Sequence, residues 1–518
     1  MPTLPGVLAS TARRVPDRPA LRWGESSLTY GELDRTVTRL AAELADRGVQ
    51  RGDRVVLVAG NTMAFVVGIY GALRAGAIAV PVNPRSAAPE LRHFLADTES
   101  SMVLVDPAAG DGVRALQADD GGLGTATALG LGELDGFDDV LAAALARDES
   151  TFERELSEDD DALIIYTSGT TGRPKGALFD HHRVLWVGQS ITMGLGLRLD
   201  ETMLHVAPLY HSASLNLLLF NGVMLGATQV LMPAFAPDDV LEALEREKVT
   251  VFFGVPTMFA SMLRSPQMAA RDLSHLRHLF YGAAPMPAST AEALVAALPH
   301  VDIVQACGQT EGGPGGILLT HEEVMAHPSA SGRLAMPNTE VRVVDADGED
   351  VAVGEVGEMI MRGETMMKGY WRNPEATAAT VVDGWVHTGD LTRVDEGGYL
   401  TIVDRLKDLI ITGGRNVYSV EVENALAGCP GVAELAIVGR DHPDFGESIV
   451  AVVTPAPGAT VTLEDLRAYG ESRIARFKLP HDLVIAEIPR NLSGKILKHR
   501  LRAQLDGPVG SADPAAQA

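Results

Sequence analysis

The chain has 518 residues, enough for about three to four domain-sized units, which excludes a single small module. Hydrophobic residues make up 46% and charged residues 21%, a globular balance that leaves a large core and excludes wholesale disorder. Lys plus Arg number 43 against 68 Asp plus Glu, a net charge of −25, so the surface on average repels nucleic acid and anionic membranes, and a bound polyphosphate needs a local cradle. The two cysteines, Cys307 and Cys429, are far apart and have no partners at ligand spacing, which argues against a disulfide framework or a cysteine zinc site and for a reducing compartment. The first residues, MPTLPGVLASTARRVPDRPALRW, lack the basic and apolar regions of an export signal, so the expected location is the cytoplasm.

In chain order, Thr29 and Glu32 have capping-box spacing, and Leu33, Val37, Leu40 and Leu44 share one face of the helix that follows. Strands are predicted at 54–60, 77–82 and 102–106, with a helix at 62–75. Residues 107–160 are acidic and Gly-rich and give no placement. The apolar stretch Leu215–Met232 is interrupted by Asn216, Gly222, Asn221, Gly226 and Gln229, so it reads as buried core rather than a membrane span. Further buried strands fall at 250–255, 279–282 and 301–306. Short β-branched runs alternating with helices predict βα units and a mainly parallel, doubly covered sheet, an α/β fold. From Glu340 to about 403 a small antiparallel β unit is expected, and after Asp404 about a hundred residues of α+β structure, large enough to fold separately. The predicted division is 1–406, 407–506 and a disordered tail at 507–518.

The strongest local signal is DALIIYTSGTTGRPKGA, Asp161–Ala177. A hydrophobic strand enters a loop in which Gly169 and Gly172 free the backbone, Thr167, Ser168, Thr170 and Thr171 supply hydroxyls, and Lys175 supplies charge, a composition suited to a polyphosphate. It is not a Walker A loop, because Gly176 follows the lysine where Ser or Thr would be needed. YGAAP at 281–285, GQTE at 308–311, GEVGE at 354–358, GYWRNPEAT at 369–377, WVHTGD at 385–390, DRLKDLIITGGRNVYSVEVE at 404–423 and NLSGKILKHRL at 491–501 follow in order.

This ordered series resembles the adenylate-forming superfamily of acyl-CoA synthetases, peptide-synthetase adenylation domains and luciferases, over about residues 29–501. The resemblance implies a two-step ligase that uses ATP, Mg²⁺ and coenzyme A. It places Thr167 and Glu311 at the metal. Thr167, Ser168, Gly169, Thr170, Thr171, Gly172, Lys175, Gly282, Ala283, Ala284, Gly308, Gln309 and Thr310 fall at ATP or AMP. Asp390 and Arg405 fall at the ribose, and Lys495 at the oxygen joining the acyl group to the α-phosphate. Lys407 is implied as the hinge of a mobile C-terminal domain, Gly413, Gly414 and Arg415 as the face serving thioester formation, and His211 as a gate near the acyl pocket.

Small residues in segments that line this pocket in the resembling enzymes, namely Ser212, Ala213, Ser214, Gly254, Gly282, Ala283, Gly312 and Gly313, suggest room for a fatty, aryl or polycyclic acid rather than acetate. The segment His205–Gly222 holds no Asp or Glu, which disfavours an amino acid. Two departures stand out: Cys307 replaces a common aromatic residue, and GGRNVYS puts Arg415 and Ser419 where glutamate and proline are usual. A carrier protein is the alternative acyl acceptor. A luciferase-like activity shares these motifs but nothing singles it out, and a catalytically silent nucleotide-binding protein is disfavoured by Lys175, Glu311, Asp390 and Lys495 together. The reading involves no nucleic acid and no integral membrane association, and is compatible with a homodimer.

Overall fold

The structure is a computed structural model that describes residues 2–119, 121–148, 151–167, 173–284, 286–490 and 496–505. The chain divides into two compact units, residues 1–342 with 360–388, and residues 343–359 with 389–518. Parts of the small β region, expected with the first domain up to residue 406, therefore group with the second unit.

The first unit is α/β and contains two large sheets. In one, Ala20 and Leu21 sit on a strand beside Thr228–Leu231, and Thr202–His205, Val251–Gly254, His278–Gly282 and Asp302–Gly308 continue it in parallel. Antiparallel strands occupy its edges. In the other, Arg54–Val58, Ile78–Val82 and Met102–Val105 run parallel, Asp161–Thr167 joins in parallel beside Ile78–Val82, and the far edge turns antiparallel with Lys175–Asp180. The first predicted helix is Tyr30–Asp46, with the Thr29–Glu32 capping box formed and Leu33, Val37, Leu40 and Leu44 fully buried. The helix Met63–Arg74 lies where the apolar run predicted it. The stretch without a placement forms the short helix Gly110–Gln117, the strand Thr127–Gly130 and the helix Val140–Leu145. These elements are too short to carry a periodic signal.

The apolar stretch after His211 is buried, as expected, and opens with a π-helix, Ala213–Phe220. No helix among the described residues is long and apolar enough to cross a membrane.

In the small β region the strands Thr339–Val344, Val356–Gly363, Trp385–Val394 and Leu400–Arg405 all form. The second unit is α+β. Val432–His442 and Gly446–Pro455 make a long antiparallel pair, Asp482–Ile485 adds in parallel, and the helices Ser419–Leu426, Leu463–Gly470 and Lys498–Leu505 accompany them. The expected tail beyond residue 506 lies outside the described residues.

Candidate active site

In the first unit the phosphate-type loop is closed at its base by a hairpin. Asp161–Thr167 runs antiparallel to Lys175–Asp180, with Thr167 directly opposite Lys175. Ala162–Ile165 are buried, so the apolar run anchors the strand. Gly176 is required because a Cβ there would lie 2.5 Å from Ile164. Ser168, Gly169, Thr170, Thr171 and Gly172 lie outside the described residues.

Glu311 sits on a single 3-10 turn, Thr310–Gly312, immediately after the parallel strand Asp302–Gly308. This is the carboxyl end of a strand, the usual ligand side of an open parallel sheet. The Glu311 side chain is buried. Its Oε1 accepts hydrogen bonds from the Thr167 hydroxyl at 3.3 Å and the Tyr370 hydroxyl at 2.7 Å. The Lys175 ammonium lies 5.0 Å from the centroid of the Tyr370 ring. Thr310 shares a 3.1 Å hydrogen bond with Ser212, and Asn216 on the π-helix donates to the Gly313 carbonyl at 2.7 Å. Thr167, Lys175, Thr310 and Glu311, all expected at the site, are therefore brought together.

The glycines around this turn are there for a different reason from the one expected. A Cβ at Gly282 would lie 2.2 Å from the Ala306 carbonyl, at Gly308 2.4 Å from the Gly315 carbonyl, at Gly313 2.2 Å from the Thr365 carbonyl, and at Gly254 2.8 Å from Phe259. A Cβ on Gly312 would lie 3.1 Å from the Met361 methyl. These glycines allow backbone and side chains to approach closely and leave no empty room, so they do not carry the argument for a bulky acid. Ser212 and Ser214 are buried. Ala283, between Gly282 and Ala284, has φ +65°, a left-handed conformation that costs a non-glycine residue energy and clusters at functional sites.

The His211 ring lies 4.7 Å from the Tyr210 ring, tilted by 48°, just ahead of the π-helix. Burial lowers its pKa to about 4, so it is neutral near pH 7. The loop leading to it is clamped by buried Asn61, which donates to the carbonyls of His205 and Ala207 and accepts from the Leu209 N–H at 2.8 Å.

In the second unit Asp390 and Arg405 face each other on paired antiparallel strands, with Arg405 Nε 3.0 Å from Asp390 Oδ1. Asp390 is a buried strand residue rather than a turn residue. Lys407 lies on the short turn Leu406–Asp408 and is exposed. Gly413 and Gly414, with φ +57° and +73°, form the two-residue turn between Ile410–Thr412 and Arg415–Val417, a geometry that needs left-handed torsions at both positions. The Arg415 guanidinium stacks over Phe477 at 4.9 Å. Ser419 has a specific role: its N–H, which a proline would lack, donates to Asp404 Oδ2, and its hydroxyl accepts from Lys498 at 2.6 Å. Lys495 lies outside the described residues.

The sequence matches the AMP-binding enzyme family over residues 8–371 and the AMP-binding enzyme C-terminal domain over residues 421–495. The chain belongs to this family. A feruloyl-CoA synthase of Amycolatopsis sp is 40% identical over 95% of this chain and 96% of its own length. The long-chain-fatty-acid–CoA ligase FadD13 of Mycobacterium tuberculosis is 36% identical over 93% and 94%. The ATP-bound structure of MatB from Rhodopseudomonas palustris superposes with a TM-score of 0.87 at 32% identity, covering 97% of this chain and 99% of that one. Within the AMP-binding enzymes, the chain is of the AMP-forming acyl-CoA synthetase type.

The donors present fit a magnesium ion carried by ATP. Glu311 and Thr167 offer the hard oxygen atoms that Mg²⁺ takes, and Mg²⁺ typically uses one or two carboxylates together with substrate phosphates and water. The motif GYWRNPEAT by itself gives Tyr370 no part. The only available signal was an aromatic residue inside a motif, and its partner Glu311 is 59 residues away. Asn61 carries no sequence signal, and Asn216 is marked only as a polar break in the apolar stretch.

Proposed function

We propose that this enzyme activates a hydrophobic carboxylic acid with Mg·ATP in the cytoplasm and passes it to coenzyme A, an aryl-propenoic or long-chain acid being the first candidate. The observation that carries this is the closed set Thr167, Lys175, Glu311 and Tyr370 at the mouth of the phosphate-type loop. It joins a cation for phosphates to oxygen ligands for their metal. The relatives named above, a feruloyl-CoA synthase and a long-chain fatty-acid ligase, suggest the acid.

In the first step a carboxylate oxygen attacks the α-phosphorus, the bond to the β-phosphate oxygen breaks, and pyrophosphate leaves. Lys175 and the loop hydroxyls hold the phosphates, and Glu311 with Thr167 holds the magnesium. Mg²⁺, when bound, neutralises phosphate charge. Gly282, Ala283, Ala284, Gly308, Gln309 and Thr310 frame the nucleotide, the Asp390–Arg405 pair takes the ribose hydroxyls, and Lys495 stabilises the oxygen negative charge at the centre being transferred. In the second step the thiol of coenzyme A attacks the acyl carbonyl and AMP departs. Gly413, Gly414 and Arg415 serve this step, and Lys407 is the pivot between domains 1–406 and 407–506, a division of labour that lets one centre present different groups in turn. Neutral His211 borders the acyl group.

The test supplies ATP, Mg²⁺ and coenzyme A with ferulate, a long-chain fatty acid or acetate. AMP, pyrophosphate and the acyl-CoA are expected with one of the hydrophobic acids. ADP with phosphate would exclude attack at the α-phosphorus, and a preference for acetate would overturn the hydrophobic acid.

A further inference from the structure

The segment carrying Tyr370 is bonded to both halves of the phosphate site. Gly369 and Tyr370 pair with Leu178 and Ala177 on the strand that begins at Lys175. The Trp371 N–H donates to Gly176 at 2.7 Å, and the Met367 N–H donates to the Glu311 carbonyl at 2.9 Å. Tyr370 is fixed in addition by its N–H on the Thr377 hydroxyl at 2.9 Å. One side chain then makes two different contacts. Its hydroxyl donates to Glu311 Oε1, and its ring faces the Lys175 ammonium. Both bonds to the Glu311 carboxylate from described residues fall on Oε1.

We propose that Tyr370 is a positioning residue that prepares Glu311 for the metal through its hydroxyl and Lys175 for the phosphates through its ring. This rests on the reading of Glu311 and Lys175 given above. With Oε1 held by two hydroxyls, the carboxylate is fixed in orientation and Oε2 remains for a cation. A residue that orients a metal-binding carboxylate typically contributes about 10- to 100-fold in metal affinity. The ring offers its negative face to the ammonium within the roughly 6 Å at which cation–π attraction operates, so it restrains a flexible lysine without neutralising the charge the phosphates need. The two contacts are chemically separable: phenylalanine keeps the ring and loses the donor, and leucine loses both.

The experiment uses the full chain with ATP and no acid, so that nothing turns over. Mn²⁺, which stands in for Mg²⁺, is titrated and followed by electron paramagnetic resonance, and metal-free ATP binding is measured by calorimetry in chelator. Tyr370→Phe should weaken Mn²⁺ binding by about tenfold or more while leaving metal-free ATP affinity within about twofold of the parent. Tyr370→Leu should weaken Mn²⁺ likewise and also lower metal-free ATP affinity by about two- to tenfold, the scale of a lost cation–π contact. Glu311→Gln is the reference. If Glu311→Gln weakens Mn²⁺ binding and Tyr370→Phe does not, the role of Tyr370 is wrong and the functional reading stands. If Glu311→Gln also leaves Mn²⁺ affinity unchanged, the metal assignment of Glu311 fails and the proposal with it. If Tyr370→Phe lowers metal-free and metal-dependent binding equally, the hydroxyl has a general structural role and the proposal is overturned. Melting temperatures confirm folding, and should the leucine variant not fold, the phenylalanine arm alone decides.

Discussion

Glycine is used in two ways in this enzyme. Around Glu311, Gly308 and Gly282 have no space for a Cβ, since the Gly315 and Ala306 carbonyls lie 2.4 and 2.2 Å from where it would be. In the second unit, Gly413 and Gly414 have space to spare: nothing lies within 4 Å of a Cβ on Gly414, and only the Phe445 ring edge, at 4.0 Å, approaches Gly413. There the requirement is torsional, from φ values of +57° and +73°. The first site excludes side chains by packing and the second by handedness. Glycine in a motif is therefore not by itself a sign that backbone approaches a ligand, and the two regions should answer differently to the same substitution.

The largest effect separates the steps assigned to the two units. Lys495→Ala should slow acyl-AMP formation by at least about 100-fold, the scale of a lost preorganised electrostatic group. Thioester formation from supplied acyl-AMP should slow far less. Single-turnover measurement of each step decides this, and equal slowing of both would break the division of labour. Next comes the packing side. Gly308→Ala, which forces a methyl onto a carbonyl, should destabilise the protein by about 1–3 kcal/mol in thermal or denaturant unfolding and reduce adenylation, and Gly308→Asn should do no better.

At the turn the ranking should differ with the residue chosen. Gly414→Val, a β-branched residue at positive φ, should cost about 1–3 kcal/mol and slow the thioester step more than adenylation. Gly414→Asn, which tolerates left-handed torsions, should cost clearly less. Equal losses for valine and asparagine in the same assay would show that space, not handedness, limits this turn.

The smallest expected effect is the response to acid. Burial lowers His181, His205 and His211, all in the first unit, from 6.5 to about 4. Between those values the unfolded chain binds more protons than the folded one, so stability from these groups, present above about pH 6.5, is lost as pH falls towards 4. In the second unit burial raises the pKa of Asp404 and Glu423. Their folded forms favour the proton, so these two buried carboxyls act in the opposite direction and offset the loss from His481, which burial lowers. Hydrogen exchange at pH 7 and pH 5 should show protection falling first in peptides from 1–342, with those from 389–505 holding longer. Equal loss in both would remove this difference between the units.

Much of the molecule could be read from the chain alone. The Thr29–Glu32 cap, the strands at Arg54–Val58 and His278–Gly282 and the helix Met63–Arg74 are encoded within a few residues by side-chain period and local hydrogen bonding. The motif order identified the family, and through the resemblance it proposes Thr167, Lys175, Glu311, Asp390 and Arg405 as site residues. What needed tertiary structure was which of these touch, and through what. Thr167 reaches Glu311 across 144 positions, because Asp161–Thr167 and Asp302–Gly308 belong to different sheets whose strands are not in chain order. Tyr370 joins them only because Gly369–Tyr370 pairs with the strand that starts at Lys175. The role of Ser419 was hidden for the same reason, whereas the elements at 107–145 were hidden because each is too short to carry a periodic signal. A periodic or capping signal is a property of neighbours along the chain, whereas the room at Gly308 and the partner of a buried carboxylate are set by residues that only folding brings near.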